Sequence, residues 1–401
     1  MNLEGRAKVY AIAQAVISSL GFLSGIIGAG FLLLFGLLGG SIDPETGAEA
    51  GLMMVIGWTS LLIALAFIPG IISAIFYLTG KPMPTVKPGT KSIFLGALVL
   101  LWIVSVVVVM VTDRFQALNL ITSLFILPLV LVPILIFFSL GSHNLSIGNQ
   151  RRAWGAIAFN FSITMPLVLM VELIVFIGVF IVAAFWLMSE PELLTQIMQY
   201  SDQLSSGALE MVEAEQLLAD LISRPVILNG SILVIAVLIP LIEELLKPMA
   251  IWFLAGKHLT PAQGFVGGLI GGACFAMLES LGAVGIPADS EWLVLLFGRT
   301  GTGLLHIALS GLVGWGLASA FYEQNWGRAI LTYLGAVTIH GLWNFFALIA
   351  GITPVLPMVD EMGNFPNILG QVSVFVMIAL FIINMVLLVS VNRQLQQKAV
   401  D

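Results

Sequence analysis

Charge is scarce in this sequence. Asp, Glu, Lys and Arg make up 9% of its 401 residues, against about 25% in soluble domains. That excludes an ordinary water-soluble domain, and with no basic patch there is nothing to bind nucleic acid. Cysteine is almost absent as well. Cys274 stands alone, so no internal disulfide can form and the redox compartment is unreadable. Internal repeats and low-complexity segments are missing too. The formal charge of −7 comes from acids scattered over loops and a few apolar runs, not from an acidic tail.

What fills the chain is apolar: 59% of its residues are hydrophobic. Runs of about 20 or more such residues mark membrane helices. Ten are found, at roughly 10–39, 51–79, 92–112, 117–140, 154–188, 229–256, 263–285, 300–323, 329–351 and 369–391. The first is too long for a signal-peptide core of about 7–15 residues and reads as a retained span. The expectation is an all-α, polytopic bundle of about ten transmembrane helices in a bacterial or archaeal cell membrane. Its parts would be a four-span accessory region, 1–153, and a six-span domain, 154–401. With both termini cytoplasmic, the inner side collects Arg6, Lys8, Lys81, Lys87, Lys91, Arg151, Arg152, Lys257, Arg328, Arg393 and Lys398. The outer side collects only Arg114, Arg224 and Arg299. This bias satisfies the positive-inside rule.

One connection stands apart. Residues 189–228 carry Glu190, Glu192, Asp202, Glu210, Glu213, Glu215 and Asp220 against Arg224. Ser189 with Glu192 reads as a capping box. Apolar residues then recur at helical spacing on either side of a Ser-Ser-Gly break at 205–207. Two short amphipathic helices are expected on the outer face, serving as a solvated connector or as a cap that sorts substrates.

The first four runs are almost free of ionisable residues, and the fifth holds only Glu172. The later ones differ. Glu243, Glu244 and Lys247 lie in the sixth, Glu279 in the seventh, His306 in the eighth, and His340 with Asn344 in the ninth. A central charge costs roughly 2.5–3.5 kcal/mol to insert, so the three in the sixth run must face protein or water. Glu243 and Glu244 point in different directions, with Lys247 between them one turn on. Lys247 can therefore pair with either carboxylate. Proline has no N–H, so Pro240 should free the carbonyl of Ala236 and Pro248 that of Glu244. Gly264, Gly268, Gly272, Ala276 and Ser280 form a small-residue row that admits a close neighbour helix. Glu279, His306 and Asn344 fall about six or seven residues, ~10 Å, from the outer ends of their runs. One polar cavity open outward is expected.

Glu243 to Lys247 (EELLK), Phe275 to Glu279 (FAMLE), His306, and His340 to Asn344 (HGLWN) resemble the successive motifs of PrsW-type intramembrane proteases. Their wider clan includes CAAX prenyl proteases and bacteriocin-processing membrane enzymes. That clan has an arginine where Pro248 stands and a histidine where Glu279 stands; Lys247 and Glu279 are similar to the PrsW branch. The resemblance covers about residues 229–351. It implies hydrolysis of a peptide bond in a membrane-anchored, single-pass protein, such as an anti-sigma factor, at the outer side of the membrane. Glu243 or Glu244 would be the base, the other tuned by Lys247. His306, His340 and Asn344 would orient water or stabilise the oxyanion. Zinc held by His306, His340 and Glu279 is one possibility, but there is no HExxH spacing. The chemistry leans toward a glutamate-activated water without an obligate metal. The rival readings are a proton- or ion-coupled transporter using the same buried groups and an inactive membrane scaffold.

Overall fold

The computed structural model describes residues 3–42, 47–82, 90–112, 115, 118–205, 219, 221–222, 224–254, 259–285, 292–353 and 365–400. Among these residues there are helices and no strands. In chain order they are α1 (Leu3–Ile42), α2 (Gly47–Leu78), α3 (Thr90–Thr112), α4 (Asn119–Gly141) and α5 (Gln150–Phe159). A π turn, Asn160–Thr164, leads into α6 (Met165–Met188), followed by α7 (Pro191–Ser205) and α8 (Pro225–Ile232). A second π turn, Leu233–Leu238, leads into α9 (Ile239–Leu246) and α10 (Met249–Leu254). Then come α11 (Pro261–Val284), α12 (Trp292–Tyr322), α13 (Trp326–Ile352) and α14 (Phe365–Val400).

Ten helical stretches in the described residues are long and apolar enough to cross a bilayer. The outer faces suit lipid: Phe180, Val182 and Phe185 on α6 and Phe375 on α14 are exposed. Such apolar exposure is at home against hydrocarbon, where helices satisfy their own backbone. The protein is an integral, multi-pass membrane protein.

Contacts sort the chain into two compact units: 1–166 with 246–333 and 384–401, and 167–245 with 334–383. In the first, α11 and α12 are the most enclosed spans. Gly264, Gly268 and Gly272 are the reason they meet. A methyl group at each would run into Gly314, Ser310 and His306 backbone respectively, so the small-residue row packs against α12 as expected. Thr260 and Gln263 form a reciprocal capping box that starts α11. Asn392 of α14 donates to the carbonyls of Gly141 and His143 at the end of α4. In the second unit, Gly341 of α13 lies against the Ala236 carbonyl in the π turn.

Two expectations are corrected. Ser189 does not cap α7; its hydroxyl donates back to the Trp186 carbonyl at 2.6 Å, and the helix begins at Pro191. Arg299 does not lie in an outer loop. The run WLVLLFG ahead of it carries α12 back to Trp292 and makes Arg299 a residue within the span. The same extension puts His306 fourteen residues after Trp292, about 21 Å along the helix rather than ~10 Å. Lys87, Arg114, Lys257, Glu210, Glu213, Glu215, Asp220 and the break at 206–207 lie outside the described residues, and with them the second expected amphipathic helix.

Candidate functional site

In the first unit the polar chain begins where α9 ends. Pro248 cannot donate a hydrogen bond, and residues 247–248 form a turn before α10. Gly271 lets α11 close on this turn: a Cβ there would sit 2.6 Å from the Lys247 carbonyl oxygen. The Lys247 side chain is fully buried. Its Nζ lies 4.3 Å from the Phe275 ring centroid and 2.7 Å from His306 Nδ1. Phe275 also meets the His306 ring edge-on, with centroids 4.9 Å apart.

An ammonium only donates. His306 therefore accepts at Nδ1, carries its proton on Nε2, and donates to Glu279 Oε2 at 2.5 Å. Arg299 closes the other side of Glu279 with a two-pronged contact, Nη1 to Oε1 at 3.1 Å and Nη2 to Oε2 at 2.8 Å. It also donates to Ser280 Oγ. A continuous chain, Lys247–His306–Glu279–Arg299, results. Such charges deep in a membrane protein persist only when paired in this way.

The second unit holds Glu243, Glu244, His340 and Asn344. The π turn positions the glutamates. The Ile239 N–H reaches back five residues to the Val234 carbonyl. One step on, the partner of the Ile235 carbonyl would be Pro240, which has no N–H. Asn344 fills that gap: its Nδ2 donates to Ile235 O at 3.0 Å. The carbonyl that needs a partner is thus Ile235 rather than Ala236, because π counting moves the gap by one residue.

Glu243, Glu244 and His340 are all buried. His340 Nδ1 lies 2.9 Å from Glu244 Oε1, and His340 Nε2 lies 3.9 Å from Glu243 Oε2. A carboxylate accepts, so Nδ1 carries a proton, and the neutral tautomer that fits this contact has its lone pair on Nε2. This is the way metal-ligating or water-holding imidazoles are commonly oriented, by a carboxylate on the far nitrogen.

One ligand atom from each of Glu243, Glu244 and His340 lies within 4.8 Å of the others. The 3.9 Å between Nε2 and Oε2 is too long for a hydrogen bond, yet within the span of two ligands ~2.0–2.2 Å from one ion. Two carboxylates and an imidazole fit a divalent cation such as zinc. His306 and Glu279, also expected among the metal ligands, bond to each other and to Lys247 and Arg299. Glu172 sits part-buried in α6.

Arg299 is the polar residue that sequence reasoning missed. The signal was the apolar WLVLLFG stretch just before it, which belongs to the span and carries the arginine inward.

Residues 203–385 match the family model described as PrsW family intramembrane metalloprotease, a longer region than the quoted motifs cover. No curated protein and no solved structure matches the chain.

Proposed function

We propose, with the PrsW match of residues 203–385 as premise, that this membrane protein is an endopeptidase that cuts a membrane-anchored, single-pass protein at the outer side of the bilayer. The match supports membrane protease activity. The observation that carries the mechanism is the buried trio Glu243, Glu244 and His340.

The roles follow from the hydrogen bonds. Glu244 holds His340 through Nδ1 and orients Nε2. His340 Nε2 and Glu243 then hold the attacking water between them, and Glu243 takes its proton as general base. When bound by Glu243, Glu244 and His340, a cation such as zinc would supply Lewis-acid polarisation of the scissile carbonyl. Lys247 and His306 belong to the first unit's own chain of paired polar groups, which holds charge inside the membrane. Glu279 and Arg299 fix His306 in the tautomer that accepts from Lys247. Asn344 serves the backbone of the π turn. The positive-inside bias supports the orientation that this reading assumes: with Arg299 moved into a span, the expected outer side retains only Arg114 and Arg224.

The test uses the purified full chain in nanodiscs with reporters that carry one transmembrane segment between two tags. Wild type should cut a reporter, whereas Glu243→Gln and His340→Ala should not. Cutting that survives both substitutions would overturn the site.

A further inference from the structure

We infer that the first unit carries a binding site for an anionic phospholipid, with the headgroup at Arg151 and an acyl chain in the crevice beneath Tyr10. A crevice of about 280 Å³ lies among α1, α5 and α10. Its walls are mainly apolar, including Ala13, Ile17, Phe159 and Phe253. In a lipid-bathed protein such a crevice admits a hydrocarbon chain, so selectivity must come from its polar end.

That end is defined by Tyr10 and Arg151. Tyr10 lines the crevice, and the Arg151 guanidinium carbon lies 5.2 Å from the centre of its ring. On another side the same guanidinium stacks 3.9 Å from the Tyr77 ring centre. Arg151 Nη1 donates to the Ala7 carbonyl at 3.1 Å. Its Nε is buried and has no hydrogen-bond partner among the described residues. A buried arginine N–H without an acceptor is costly. A phosphate diester supplies both an acceptor and the opposite charge, in a geometry that the guanidinium matches.

The depth fits a headgroup. Ala7 is near the start of α1, Tyr77 is at the end of α2, and Arg151 is in the first turn of α5. Three helix ends meet here, at the level where tyrosine and arginine anchor membrane proteins. Arg152 and Lys81 are the neighbouring charged residues along α5 and after α2, and both are cations. Basic pockets between membrane helices are recognised binders of anionic headgroups. The pairing of an arginine that has one buried N–H without an acceptor with an apolar crevice therefore selects phosphatidylglycerol-type lipids over zwitterionic ones.

The experiment measures lipid retained by the full chain after detergent exchange, by native mass spectrometry, with phosphatidylglycerol and phosphatidylcholine offered as an equal mixture. Wild type should retain one phosphatidylglycerol with about a five-fold preference, the factor expected of one interfacial arginine. Arg151→Gln should abolish the preference. Ala13→Phe, which fills the crevice and leaves Arg151 in place, should reduce retention of both lipids and shows whether the fold survives a change at this site. Equal retention of the two lipids by wild type, or an undiminished preference in Arg151→Gln, would overturn the inference. Displacement by soluble glycerol phosphate would also overturn it, since the ligand would then be a free phosphate ester.

Discussion

Glu244 grips His340 at Nδ1 across 2.9 Å, so the imidazole turns its other nitrogen toward Glu243. Two adjacent carboxylates thereby stop being equivalent. Glutamine keeps a carbonyl that can accept from Nδ1 but cannot act as a base. Glu243→Gln should lower turnover by about 10²–10⁴, and Glu244→Gln by roughly ten-fold, with Glu244→Leu much worse. Initial rates on a single-pass reporter decide it. A Glu244→Gln variant as inactive as Glu243→Gln would reverse the assignment.

Metal dependence has a readout apart from turnover. Chain stripped by chelator and reloaded with zinc should bind about one ion when assayed by elemental analysis, and His340→Ala should bind none. Full cleavage by stripped, metal-free protein would remove the metal from the reaction while leaving the glutamate-activated water intact.

Arg299 locks Glu279 with a fork that lysine cannot reproduce. Arg299→Lys should retain part of the activity, and Arg299→Leu should lose roughly 1–3 kcal/mol of stability through the carboxylate left behind. Because Glu279 is also held by His306, the protein should still fold. Thermal midpoints in detergent, set beside cleavage rates, separate the two effects. An Arg299→Leu chain with unchanged stability and rate would show that the arginine is dispensable.

Two glycines of α11 make a matched pair. At Gly272 a methyl group would collide with the His306 carbonyl, while at Gly282 it would meet open space. Gly272→Ala should destabilise by about 1–3 kcal/mol and lower activity by shifting His306. Gly282→Ala should be neutral or stabilising by roughly 0.4–1 kcal/mol. Equal midpoints for the two variants would contradict the close packing of α11 on α12.

Much of this was legible in the sequence because membranes impose long apolar runs. All ten spans were recovered, as were the buried positions of Glu243, Glu244, Lys247, His306 and His340. What escaped depended on where backbone hydrogen bonds go. Arg299 reads as a loop residue when the eighth span begins at 300, just after the charge, instead of at the apolar stretch preceding it. Ser189 had the right spacing for a cap, yet its hydroxyl found a nearer acceptor in the turn that ends α6. No periodicity announces a π turn, and without it the wrong carbonyl is assigned to Pro240.

The Asn344 bond to that carbonyl can be measured as a coupling. Asn344→Ala should cost about 1–3 kcal/mol by leaving the Ile235 oxygen without this donor. Pro240→Ala returns a backbone N–H, so in the double variant the loss from Asn344→Ala should shrink. A double-mutant cycle on thermal unfolding reads this directly; strictly additive effects would separate the asparagine from the proline.

The π turn has a geometric consequence further along the chain. By closing its ring one residue later than an α turn, Leu233–Leu238 shifts the phase of the following helix by about 100°. The compass heading of Glu243 and Glu244 is thus written several residues upstream, in the uncharged stretch LVIAVL. Winding the same six residues as a plain α turn would keep every acid, base and histidine in the sequence, and would swing both carboxylates to a different quarter of the helix.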